Sequence, residues 1–177
     1  MIGRSWSLLL VTFLLIGVSL SEVNAGPSLT TVAEADEPKV FKPDSLQPNP
    51  DYSPADVIRI QLQALSDNNH PYENAGIEIA FRFASPANKD TTGPLERFIQ
   101  MVHNPVYGPM LDHQSVSYGE LQVKGNQAAQ AVILTTSSGE RVGYVFTLSK
   151  QEGDTCRGCW MTDGVFRFKV EEGLRET

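Results

Sequence analysis

Cys156-Arg157-Gly158-Cys159 is the most chemically pointed motif in the chain. Two thiols separated by two residues can be a redox dithiol, half of a zinc site, or a disulfide that staples a loop. Zinc needs two further ligands, and His70, His103 and His113 show no metal-ligand spacing. A redox CxxC pair draws its reactivity from a helix N-terminus, whereas this one lies in a loop leading into a strand-like segment. The expected chemistry is a loop staple between Cys156 and Cys159, worth roughly 2 kcal/mol at most in the loop-entropy view. A thiol-redox protein using the same pair is the alternative.

A second set of residues could serve acid–base chemistry. An isomerase or lyase needs a carboxylate or imidazole base and a donor for developing oxyanion charge. Asp112, His113 and Asp163 are the candidate bases, with Tyr118 and Tyr144 as donors. Each also has a structural reading. Asp163 has the same strand parity as Arg167 and can pair with it, and Asp112-His113 at a strand start reads as a surface or capping pair. The sequence contains no Gly-rich phosphate loop and no GxSxG, HExxH or EF-hand signature, and no cofactor is implied. If a pocket exists, Phe81, Phe98, Tyr118, Tyr144 and Trp160 are its expected walls.

The elements that position these residues follow from periodicity. Ser53-Pro54-Ala55-Asp56 combines an N-cap hydroxyl, Pro at N1 and a carboxylate at N3. Ile58, Leu62 and Leu65 then mark one helix face, ending near Asp67-Asn68-Asn69. A second helix is expected over 75–84, with Glu78 and Arg82 paired four apart. A third starts at Pro94 and closes at Asn104-Pro105.

From His113 the period changes from helical to alternating, which predicts strands over 114–123, 127–136, 140–150 and 159–168. Short connections between them require an antiparallel meander. In the first strand Val116 and Tyr118 have opposite parity to Leu121 and Val123; a bulge at Gly119-Glu120 would bring both pairs to one face and bend the sheet. The expected fold class is α+β, with three helices packed on one face of a curved four-stranded sheet.

Upstream, Arg4 precedes the apolar run Ser5–Leu20, and Val23-Asn24-Ala25 supplies small residues for cleavage. That pattern predicts a secretory signal cleaved after Ala25 and a soluble, exported mature chain. Residues 26–53 hold Pro27, Pro38, Pro43, Pro48 and Pro50 and are expected to be a disordered or extended arm. Its Val40-Phe41 pair could dock on the domain. The domain is expected over 54–170, with 171–177 a frayed tail.

The net charge is −7 over 177 residues. The arm carries two lysines against five carboxylates, and residues 54–177 carry eleven basic against fifteen acidic side chains. No basic stripe exists to track a phosphate backbone, which excludes general nucleic-acid binding. One possible disulfide excludes a cysteine-stapled mini-protein.

Segments RFASPAN (82–88), GPLERFIQMV (93–102), YGPML (107–111) and GCWMTD (158–163) resemble a family of uncharacterised domains found mainly in photosynthetic bacteria and plant plastids. The resemblance covers about residues 54–168. It implies a cone fold similar to that of the nuclear-transport-factor-two-like domains and a periplasmic or thylakoid-lumen location, and it implies no activity. The functional expectation is a non-enzymatic binding or accessory domain for a small apolar ligand or a protein partner. A homodimer is compatible with this reading.

Overall fold

The computed structural model describes residues 46–170. The expected signal peptide over 1–25, the expected arm up to residue 45 with its Val40-Phe41 pair, and the expected tail over 171–177 lie outside the described residues. In chain order the described part contains α1 (Pro54–Ser66), α2 (Ala75–Arg82), α3 (Pro86–Thr92), α4 (Leu95–Val102), a 3₁₀ turn (Gly108–Met110), and strands β1 (Ser115–Lys124), β2 (Gln127–Thr135), β3 (Arg141–Lys150) and β4 (Trp160–Phe168). Four helices stand where three were expected.

Helix α1 starts with a reciprocal cap. Asp56 N–H donates to Ser53 Oγ at 3.1 Å, and Ser53 N–H donates back to the Asp56 carboxylate at 3.0 Å, so two otherwise orphaned donors are satisfied. Val57, Ile58, Ile60, Leu62 and Leu65 are all buried, which packs the helix on more than one side.

Its junction with α2 is held by buried Asn68, whose Oδ1 accepts from Ile77 N–H at 3.1 Å and whose backbone carbonyl accepts from Gly76 N–H at 2.9 Å. Gly76 is required by the approach of the two helices. A Cβ there would stand 2.1 Å from the Ala64 carbonyl oxygen.

Helix α3 is the additional one. Ser85 Oγ accepts from Asn88 N–H at 3.2 Å and Pro86 occupies the first turn, the same device that opens α1. None of its residues is buried, so it has no apolar stripe to betray it. Helix α4 buries Phe98 and Val102. Beyond it, Asn104 Oδ1 accepts from Val106 N–H at 2.7 Å and from Tyr107 N–H at 3.2 Å, turning the chain towards the sheet.

The sheet is an antiparallel meander in the order β1-β2-β3-β4. The register of β1 on β2 shifts between Tyr118 and Leu121, so that Val116, Tyr118, Leu121 and Val123 all stand opposite the inward-facing Leu134, Val132, Gln130 and Ala128. This is the bulge the parity break predicts. A second shift, at Thr147/Leu148, leaves Asp163 as the extra residue of β4.

Val132, Leu134, Val142, Tyr144, Phe146 and Leu148 form the buried face of β2 and β3. The outer edge of β4 is partly covered. Ser85 N–H donates to Thr162 O at 2.8 Å and Thr162 N–H donates to Phe83 O at 2.9 Å, a parallel bridge that fixes the α2–α3 connection against the strand.

Residues 46–53, assigned above to the arm, include a correction to that boundary. Leu46 is buried within the apolar core. An apolar side chain set among prolines is preordered in an extended conformation, which lowers the entropy lost on seating it.

Candidate functional site

Between α2, α3, α4 and the flank of β4 the side chains leave space unfilled. The gap is a cleft of about 280 Å³, close to the lower edge of the ~300–1,000 Å³ usual for ligand sites. Its apolar walls include Ala80 from α2, Phe98 and Met101 from α4, Met110 from the 3₁₀ turn, and Val165 and Phe166 from β4. Alanines at 80, 84 and 87 also line it, and their short side chains leave its volume unfilled. Phe98 is braced by the Phe81 ring, centroids 5.0 Å apart.

The polar groups of the walls are committed to the protein. Gln61 Nε2 donates to Thr162 Oγ1 at 2.6 Å and to Val57 O at 3.2 Å. Asn88 Nδ2 donates to Thr162 O at 3.1 Å. Thr92 Oγ donates to Asn88 O at 2.9 Å, and the Tyr107 hydroxyl donates to Val165 O at 3.3 Å. Burying polar atoms costs little once they are paired, so an apolar guest entering the cleft would not break these bonds to do so. These walls suit a guest held by shape and apolar contact, with few polar anchors.

Of the expected pocket walls, Phe98 lines this cleft and Phe81 supports it from behind. Tyr144 is fully buried and donates its hydroxyl to Val106 O at 2.7 Å; burial pushes the phenol up to about 12. It ties the loop after α4 to the sheet and lines no cavity among those described. Trp160 is a buried core residue. Tyr118 stands on the edge strand, 42% exposed, with the Arg59 guanidinium 5.8 Å from its ring centroid.

The three candidate bases are not brought together. Asp112 adopts φ +50° in the turn before β1, where its N–H donates to Leu65 O at 2.9 Å and its carboxylate accepts from Asn68 N–H at 3.4 Å. His113 is buried beside it, with Nδ1 2.8 Å from Met110 O. A carbonyl can only accept, so Nδ1 carries the proton. Burial holds the imidazole below its ordinary pKa, against smaller opposing effects of the Met110 carbonyl and Asp112.

Asp163, at the bulge of β4, borders the cleft but is exposed and accepts from Ser149 Oγ at 2.9 Å. Its alternative pairing with Arg167 is not made. Because the bulge resets the register, Arg167 donates instead to Pro105 O at 2.9 Å and to Glu140 at 3.4 Å.

Cys156 and Cys159 form a disulfide. Cys159 is fully buried and Cys156 partly so, in the loop between β3 and β4. Among the described residues no group of three His, Cys, Asp or Glu side chains could hold a metal ion. No described helix is long and apolar enough to cross a membrane.

Residues 50–172 match the family model described as a domain of unknown function, DUF4864, and the chain belongs to that family. Neither a curated protein nor a solved structure matches the chain.

Proposed function

We propose that this DUF4864 domain is a non-enzymatic binding or accessory domain that holds a small apolar ligand in the cleft between α2–α4 and β4. The observation that carries the reading is the cleft itself, about 280 Å³ with apolar walls whose polar atoms already have protein partners. An apolar guest gains by leaving water and displaces no hydrogen bond of the protein. The isomerase or lyase alternative has less to draw on, since Asp112 and His113 are engaged in the turn before β1 and Asp163 bonds to Ser149 on an exposed rim.

The wider setting belongs to the same proposal. The helix layer on a bulged sheet is compatible with a nuclear-transport-factor-two-like cone, and the N-terminal sequence with export to a periplasm or thylakoid lumen. A disulfide between Cys156 and Cys159 suits an oxidising compartment.

The test is calorimetric titration of the folded chain with toluene, indole and naphthalene. A saturable one-to-one isotherm with a negative heat-capacity change is expected for at least one of them. Isotherms that never saturate for all three, matching a chemically unfolded control, would sink the reading.

A further inference from the structure

The loop that carries the disulfide meets the β1–β2 turn through Glu152 and Asn126, and at its cysteine end it packs on the entry segment 46–50. Cys156 Sγ lies 3.5 Å from the Pro48 carbonyl oxygen; a disulfide sulfur bears no proton, so this is a packing contact. Gly158, at φ +85°, presents its bare Cα to Pro50, with a would-be Cβ 3.7 Å from the proline ring.

Two residues earlier than Pro48, Leu46 is buried and lines, with Ile60, Ala64 and Ile79, a cavity of about 200 Å³ between α1 and α2. The turn that follows is bonded locally, Tyr52 N–H to Asn49 O at 3.1 Å and Asp51 N–H to Asn49 Oδ1 at 2.9 Å. Pro48 and Pro50 have no N–H to donate. Packing is therefore what seats residues 46–50, at the groove on one side and at the cysteine loop on the other.

The loop's shape depends on its closure. Gly158 N–H donates to Gln151 O and Gln151 N–H to Cys159 O, both at 2.7 Å. These bonds anchor the loop at Cys159. The Cys156 end, which meets Pro48, is held to that anchor by the disulfide and by one longer bond, Cys159 N–H to Cys156 O at 3.1 Å.

We propose that residues 46–50 are a strap over the α1–α2 groove, latched by the Cys156–Cys159 disulfide and released when a dithiol reduces it. The step is ordinary thiol–disulfide exchange. A thiolate of the dithiol attacks Cys156 Sγ, the partly exposed sulfur, the Cys156–Cys159 bond breaks, and Cys159 leaves as a thiolate that takes up a proton. The second thiol of the reductant then displaces Cys156. Two electrons and two protons have passed to the cysteines, and the dithiol departs as its own cyclic disulfide. The Cys156 side chain, no longer tied to Cys159, ceases to support Pro48, and Leu46 leaves the groove open.

Coupling of this kind is reciprocal: whatever factor reduction exerts on strap release, strap release must exert on reduction. Two measurements on the whole chain use that identity. Hydrogen exchange of amides 46–52 is compared between oxidised protein and protein held in dithiothreitol. Exchange at least about fivefold faster after reduction, with β2 and β3 unchanged, is expected. Equal exchange at 46–52 in both states, or loosening shared equally by β2 and β3, overturns the proposal.

The second measurement is the ratio of reduced to oxidised dithiothreitol at which half the disulfide is open, read by alkylation and mass spectrometry. Leu46→Ser lowers that ratio by the factor found in the exchange experiment, and Pro50→Gly, which leaves the core untouched, lowers it in the same direction by less. An unmoved ratio in Pro50→Gly and in any folded Leu46→Ser overturns the latch.

Discussion

The central strands and the β4 flank meet the helix layer in different ways. Over β2 and β3, Val132, Leu134, Tyr144, Phe146 and Leu148 are each at most 1% exposed, and they share one apolar core with Ile58, Leu62, Ile77 and Phe98 of the helices. Along β4, alanines at 80, 84 and 87 and Val165 line a cavity that remains. The difference lies in side-chain size and polar pairing rather than in backbone layout. Where long apolar residues interdigitate, the interface is a scaffold; where small ones face a bulged strand with its polar atoms already bonded, it is a receptacle.

The largest effect that could break this contrast comes from opposite substitutions in the two regions. Phe146→Ala removes a fully buried ring and is expected to cost about 3–5 kcal/mol in urea unfolding. Ala80→Leu adds bulk where space exists, and is expected to fall below the ~1–3 kcal/mol typical of overpacking a filled core. Equal losses in both variants would mean that the two regions are packed alike.

Next in size is Tyr144→Phe, which leaves the Val106 carbonyl without its 2.7 Å donor at an expected cost of about 1–3 kcal/mol. The wild-type phenol is held neutral, pushed up to about 12. Its contribution is thus complete below the ordinary tyrosine value of about 10 and is lost as pH rises through about 12. Unfolding curves between these limits should show an alkaline loss in the wild type that is reduced in the variant.

The smallest is His113→Gln, which keeps an N–H donor and cannot titrate. The wild-type imidazole is held below its ordinary pKa by burial, so the unfolded chain binds the extra proton more readily. Stability is unaffected above about pH 6.5 and falls below it, with a slope of at most about 1.4 kcal/mol per pH unit for one proton. The variant should lack that increment; identical acid limbs in chemical denaturation would contradict the assignment.

How much of this was legible beforehand differs between the same two regions. The alternation Val142, Tyr144, Phe146, Leu148 announces the buried face of β3, and the parity break around Gly119 announces the bulge that β1 shows. The receptacle is quieter. Helix α3 has no buried residue to create a period, although Ser85-Pro86 repeats the Ser53-Pro54 cap and could have located it. Small residues such as Ala80 and Ala84 carry almost no pattern.

The bulge at Asp163 arises from pairing with β3 and the bridge to Ala84, neither of which local sequence encodes. Phe98 is legible because Leu95, Phe98, Ile99 and Val102 recur at helical spacing. Tyr118 and Trp160 have pocket-like chemistry, but one sits on an edge strand and the other in the core. Nor did the proline count distinguish Leu46, whose burial depends on a groove built from distant helices.

The most direct test of the receptacle is to map an apolar probe by two-dimensional amide and methyl NMR, titrating naphthalene into wild type and Ala80→Leu. The account predicts saturable shifts confined to Ala80, Phe98, Met101, Met110 and Val165 and their neighbours, and their disappearance in Ala80→Leu. Shifts centred elsewhere, for example on Phe168, 36% exposed and outside the cleft lining, and surviving in Ala80→Leu, would contradict it.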